Sequence, residues 1–379
     1  MSMQMITNAR IVTAEAVVHG SVIIENGIIQ EIKEGDFSSV GLDVDGDFVT
    51  PGIVDMHTDN LERHFFPRPN IDWDPVSAAI AHDGVCIASG VTTVFDSFSL
   101  GSWNKSEARG LTNLRRLLGG VDTARASGAL RADHFVHWRC ELPAPHLPEL
   151  VDEFMAHPMT RLASLMDHTP GQRQYRDLEF FLNRNWRSEL DEGEVAERLA
   201  QRRENQAAYA DAHRGHVGAS AASHGIVLAS HDDETAEHVA AAQDAGAVIA
   251  EFPVTHEAAA EARRRGMINI MGGPNLVRGG SYSGNVGAAE LAEEGLLDGF
   301  ASDYVPRSLI ECAFRLAEPP HGWSLPAAVA TVSKVPAHAL GLVDRGEIAP
   351  GQRADLLRVS LHGHLPVVRG VWIAGTRQA

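Results

Sequence analysis

Lysine, cysteine and net positive charge are all scarce in this sequence. Its 379 residues carry 32 basic and 50 acidic side chains, a formal net charge of −18. A surface of that sign repels nucleic acid and anionic membranes, so neither is an expected partner. A small anionic substrate remains compatible, provided a local arginine cluster overrides the global field. The three cysteines, Cys86, Cys140 and Cys312, are too few and too odd in number for a disulfide framework, which points to a reducing compartment. No apolar run approaches the ~18 residues that cross a bilayer, and the opening MSMQMITNAR lacks the apolar core of a secretion signal. A cytoplasmic location is therefore expected. Lysine is limited to Lys33, Lys105 and Lys334, whereas histidine reaches 19, a first hint of metal chemistry.

The two ends of the chain read as short strands. Asn26-Gly27 lies between the apolar runs of SVIIENGIIQEI, the pattern of a tight hairpin, and Asp45-Gly46 and Ala374-Gly375 mark further turns. Residues 1–50 and 346–379 are expected to form one small β-sandwich, the alternative being two separate terminal hairpins. Between them, residues 51–345 hold eight short apolar runs: 52–59, 90–98, 133–142, 162–168, 225–233, 247–255, 267–275 and 296–304. Most gaps between them carry helical signals, such as Leu111, Leu114, Leu117, Leu118 and Val121 at helical spacing. Strands alternating with helices imply parallel βαβ units, and eight such units imply an α/β fold of the (β/α)₈ TIM-barrel type. Residues 169–224 exceed a simple crossover. They read as an insertion over the active-site face, suited to a lid or a subunit contact.

Polar residues fall where such a barrel places its chemistry, at the carboxyl ends of the strands. The first run ends in His57-Thr58-Asp59, and strand alternation sends His57 and Asp59 to the same side. Glu141 ends the third run, His168 the fourth, His231 the fifth and Asp303 the last. Three imidazoles and three carboxylates suit a divalent metal, Zn²⁺ foremost, with Mn²⁺ or Fe²⁺ possible, as one ion or as two sharing a carboxylate. A single histidine at a strand end is more often structural; the joint pattern carries the inference. By the same alternation Asp167 and Asp232 point away from the site. His137 and Arg139 share the parity of Glu141, and either line the site or pack.

The arrangement resembles the amidohydrolase superfamily: a split terminal β unit, TPGIVDMHTD entering the first barrel strand, GVTTV in the second and an aspartate closing the eighth. Longer strings, among them HTDNLERH, PRPNIDW, SLMDHTPGQRQ, ASHDDET, IAEFP, PNLVRGGSYSGN and ASDYVP, resemble one family within it. That family is the ribose 1-methylphosphonate 5-triphosphate diphosphatases of bacterial phosphonate degradation. The resemblance implies a metal-dependent hydrolase that cuts a triphosphate to a monophosphate and pyrophosphate. Two departures from the superfamily stand out. The first motif is HxD instead of HxH, and no lysine lies in a barrel strand to serve as a carbamylated bridge, which makes Glu141 the natural substitute.

Given that resemblance, Asp303 is expected both to ligate metal and to act as general base. A triphosphate calls for arginine forks and multiple donors. Arg278, Ser281, Ser283 and Asn285 sit on a glycine-rich loop after the seventh strand, with a flexible Gly279-Gly280, and Arg173 and Arg176 follow His168. Asn60 and His64 are weaker candidates for the same role. The bland reading of each stretch is a turn with solvated arginines. Two rival functions remain: a cyclic-amide (C–N) hydrolase on the same scaffold, and a non-catalytic binding subunit. A homodimer or higher homo-oligomer is expected.

Overall fold

The computed structural model describes residues 3–35, 40–69, 71–101, 110–281 and 283–379; Asn70, Lys105 and Tyr282 lie outside the described residues. The N-terminal strands are β1 (Met3–Val12), β2 (Val17–Glu25), β3 (Ile28–Glu34), β4 (Leu42–Asp43) and β5 (Phe48–Pro51). The barrel strands follow as β6 (Ile53–Thr58), β7 (Val91–Leu100), β8 (Asp133–Glu141), β9 (Thr160–Met166), β10 (Val227–His231), β11 (Ile249–Glu251), β12 (Ile268–Gly272) and β13 (Gly299–Ala301). The chain ends with β14 (Leu356–His362), β15 (Leu365–Ile373) and β16 (Thr376–Arg377).

The two termini do join. Their sheet runs β16-β15-β14-β5-β1-β2-β3, with β4 added to β1. An Ile28–Arg353 bridge links the β3 end of this sheet back to the segment entering β14. Alternating residues such as Ile6, Ile11, Val22, Ile24, Val49, Leu356 and Trp372 pack into one apolar cluster on its inner side.

In the second sheet β6 to β13 pair in chain order, each parallel to the next. A parallel Thr58–Asp303 bridge closes the cylinder: Asp303 N–H donates to His57 O at 2.9 Å, and Asp59 N–H to Asp303 O at 2.6 Å. The closing seam is therefore built from the very residues that end the first and last strands. Beneath it, Val54, Met56, Phe95, Leu162, Ala229, Ile249, Ile270 and Ala301 form an apolar cluster that fills the barrel.

The helices used below are α1 (Asn60–Phe65), α2 (Pro75–Ala88), α3 (Leu111–Ala126), α4 (Leu147–Phe154), α5 (Leu178–Asn185), α6 (Glu192–His224), α7 (Ala236–Asp244), α8 (His256–Arg264) and α9 (Gly273–Arg278). The long segment between β9 and β10 contains α5 and α6. Helix α6 starts at a capping box, Asp191 with Glu194, and stops at Gly225, whose φ of 65° ends it in the left-handed region. After β12, Gly273–Arg278 is helical, and the turn begins at Gly279 with φ 83°. Among the described residues, no helix is long and apolar enough to cross a membrane.

Candidate metal centre and its arginine-lined mouth

Glu251 organises the floor of the site. It ends β11, is wholly buried, and accepts from Nδ1 of His57 at 2.8 Å and from Nδ1 of His231 at 2.6 Å. Glu141 does the same for His168, taking its Nδ1 proton at 2.6 Å and its backbone N–H at 2.9 Å. A carboxylate on Nδ1 fixes each ring's orientation and leaves Nε2 to face the cavity, the arrangement that supports a metal-binding histidine. The charges reinforce one another. Burial disfavours the His57 cation, but Glu251 and Asp59 outweigh this and raise its pKa to about 10. Burial would raise Glu141, yet His168 holds it at about 2.

Of the four groups of such donor atoms within 4.8 Å of one another among the described residues, two open toward the rim: His168, His231 and Asp232, and His57, Asp59 and Asp303; His57 also groups with buried His137 and Glu251. Among the described residues, Asp232 Oδ2 is buried with no hydrogen-bond partner, 3.3 Å from His231 Nε2 and 3.9 Å from His168 Nε2. A buried carboxylate oxygen without a donor costs energy unless a cation meets it. Burial and the facing Asp59 push the Asp303 carboxyl up to about 7, another mark of negative charge awaiting a counter-ion. These nitrogen and oxygen donors fit a divalent metal.

Six residues named from the sequence, His57, Asp59, Glu141, His168, His231 and Asp303, thus come together at one end of the barrel, but two of them have other partners as well. Glu141, expected as a shared ligand, has its carboxylate on His168. Asp59 receives Nη1 of Arg139 on both oxygens, at 2.6 Å to Oδ1. Arg139 therefore lines the site. His137 is buried between Ser97 and Ser164, with ring contacts to His57 at 4.9 Å between centroids. Asp232 is a correction, since alternation placed it away from the site, and Glu251 was not singled out from the sequence. Asp232 has φ 54°, so the strand parity that sent it outward does not apply. Glu251 did leave a signal, an acid within the apolar run IAEFP, where a buried charge needs a partner.

The residues expected to grip phosphate divide. Arg173 is a correction: its buried guanidinium donates to Asp233 at 2.6 Å and to His231 O at 3.0 Å, so it braces the strand end instead of facing a cleft. Arg176 reaches Gly284 O at 2.9 Å and ties the segment after β9 to the turn after α9. Asn60 turns away to His82 Nδ1 at 2.9 Å and His64 Nε2 at 3.3 Å; behind it Asp96 bridges His82 and His134 at 2.8 Å each. This pair belongs to a buried network under α1. Arg278, Ser281, Ser283 and Asn285 do line a cleft of about 570 Å³, shared with Asp232, Phe252, Met271, Asp303 and Tyr304. A second cleft, about 1010 Å³, is bounded by Asp59, Glu62, Arg63, Arg184, Arg278, Asp303 and Tyr304.

A closed eight-stranded barrel with a terminal β unit and a histidine–carboxylate centre at its carboxyl rim is the architecture of the amidohydrolases. Solved structures share it over nearly the whole chain. A Xaa-Pro dipeptidase matches with a TM-score of 0.66 at 16% identity, covering 99% of both chains. A 5-methylcytosine deaminase from Klebsiella pneumoniae matches at 0.64 and 15%, covering 99% of this chain and 97% of that one. No family model matches. In sequence, the chain is 41% identical over 381 aligned positions to alpha-D-ribose 1-methylphosphonate 5-triphosphate diphosphatase of Escherichia coli K12, covering 98% of this chain and 99% of that enzyme. The chain belongs to that diphosphatase family.

Proposed function

We propose that the protein hydrolyses the α–β phosphoanhydride of a ribose 1-phosphonate 5-triphosphate, giving the 5-monophosphate and pyrophosphate, in phosphonate catabolism. The observation that carries this reading is the position of Asp303. It belongs to the His57–Asp59 donor set and lines the Arg278 cleft together with Asp232 of the other set, so an acid–base group, a candidate metal site and an arginine adjoin one another. A divalent ion, Zn²⁺ in our reading, held by His168, His231, Asp232 and the His57–Asp303 side, would supply acidified water and neutralise phosphate charge.

The remaining chemistry falls to side chains. Glu251 and Glu141 hold the three imidazoles in place. Asp303 accepts the proton of the attacking water as general base. Arg278 steadies the charge that gathers on the leaving oxygens. The Ser281–Ser283–Asn285 cluster, internally linked by bonds of 3.0–3.1 Å, presents a preformed polar wall.

Hydrolysis in ¹⁸O-water followed by phosphorus NMR tests the reading. Label in the ribose monophosphate is the expected result; label in pyrophosphate would move the attack to the β-phosphorus. Hydrolysis of a cyclic amide with the triphosphate untouched would refute the proposal.

A further inference from the structure

The two clefts share Arg278, Asp303 and Tyr304, and differ in everything else. The smaller continues into Phe252, Pro253, Val254, Met271 and the hydroxyl and amide groups of Ser281, Ser283 and Asn285. Apolar surface with a few neutral donors suits a sugar ring, not a chain of phosphates. The larger adds Arg63 from α1 and Arg184 from α5. Arg63 lies 5.3 Å from the Tyr304 ring centroid, which orients its guanidinium at the shared edge. Three arginines from three separate elements bound this opening. With Arg139 on Asp59, four guanidiniums offset the carboxylates of Asp59, Glu62 and Asp303. In a chain of net charge −18, a lining in which three arginines balance three carboxylates is a local departure from the global field.

We infer that Arg63 and Arg184, together with Arg278, form the binding site for the terminal two phosphates, so that the substrate lies across Asp303 with its sugar in the smaller cleft and its pyrophosphate arm in the larger. This deepens the proposed function and rests on it. The segment between β9 and β10 thereby acquires a purpose, since Arg184 on α5 carries a cation to the mouth of the barrel. Arg176 holds that segment against the turn after α9, at Gly284. Arginine forks bind the nonbridging oxygens of an inorganic polyphosphate as they would those of the substrate, so the ribose is not needed to detect the site.

Inorganic tripolyphosphate is therefore the probe, titrated calorimetrically into the metal-loaded protein and its R63Q, R184Q and double variants, alongside triphosphate kinetics. Arg63 and Arg184 are exposed, so folding should be unaffected, and circular dichroism checks this. Each single change should weaken tripolyphosphate about tenfold, the loss expected for a charged hydrogen bond, and raise KM by a similar factor with a smaller effect on kcat. Inorganic phosphate should bind the variants as it binds the parent. Unchanged tripolyphosphate affinity and KM in the double variant would overturn the inference while hydrolysis itself stood. A parent protein that left triphosphates intact would overturn the proposed reaction. In that event, arginine-dependent tripolyphosphate binding would still support the arm site, and arginine-independent binding would refute it.

Discussion

Replacing Glu251 by glutamine removes one acceptor and changes almost nothing in shape. The carboxylate accepts from two imidazoles at once, at 2.8 and 2.6 Å, and is wholly buried. An amide offers one oxygen and one NH₂, so one of His57 and His231 must meet a donor. The remedy open to that ring is to move its proton to Nε2, the nitrogen facing the cavity, which removes it as a ligand. Loss of such a supporting group typically costs 10–100-fold in metal affinity. Because Glu251 serves two rings of the same centre, we expect the upper end, about 100-fold or roughly 2.7 kcal/mol. Competition against a chromophoric chelator measures it, with thermal unfolding of the metal-free protein as the control for general damage. Wild-type metal affinity in Glu251→Gln would show that the tautomers of His57 and His231 do not depend on this carboxylate, and the reasoning would fail.

Asp303→Asn should retain metal and lose turnover by about 10²–10⁴-fold, the usual worth of a positioned base; metal analysis with single-turnover kinetics separates the two. Dialysis against a strong chelator should abolish hydrolysis and lower the unfolding temperature, and Zn²⁺ or Mn²⁺ should restore both. Asp232→Asn should weaken metal binding more than Asp59→Asn, which should lower thermal stability by stranding Arg139; paired chelator titrations and melting curves give the comparison. Asp83 supplies a pH signature. Burial raises its carboxyl, but His134 and the amides of Ala132 and Arg131 outweigh this and hold it at about 2. A folded pKa below the unfolded ~3.9 means stability that is present above about pH 4 and lost as pH falls toward 2, on the order of 2 kcal/mol. Acid unfolding of Asp83→Asn should lack that slope.

Strand existence and order were legible because period and turn chemistry are local. The runs ending at His57, His168 and His231 all proved to be barrel strands. Parity carried the reading of His57 with Asp59, and of Arg139 with Glu141, as far as the strands stay extended. It failed at Asp232, where the backbone turns to φ 54° immediately after β10; Asp303 turns the same way, at φ 57°, after β13. Only the folded context makes an aspartate adopt that conformation, so no strand pattern reveals it. Partner choice was equally hidden. Nothing in HTPGQRQYR distinguishes an arginine that meets phosphate from one that, like Arg173, is consumed by Asp233. The seventh run was drawn too long: its residues 273–275 begin a short helix, Gly273–Arg278, that the pattern did not show.

The same pairing of charges decides where a cation is needed. Glu251 is matched by His57 and His231, Glu141 by His168, and Asp59 by Arg139. An aspartate in the first-strand motif, where many amidohydrolases place histidine, would by itself call for an additional ion; Arg139 supplies a positive charge from the neighbouring rim instead. That leaves Asp232 Oδ2 without a donor among the described residues, and Asp303 with a carboxyl raised by burial and by the charges of Asp59 and Asp232. Asp232 shares its donor set with His168 and His231, and Asp303 shares the other with His57 and Asp59, so these are the residues that would hold a divalent ion. Asp303 lies at the edge shared by both clefts, where in our reading the bond between sugar-side and terminal phosphates would lie. Metal demand and substrate orientation thus follow from one imbalance of charge, set by which carboxylates the imidazoles and Arg139 have already taken.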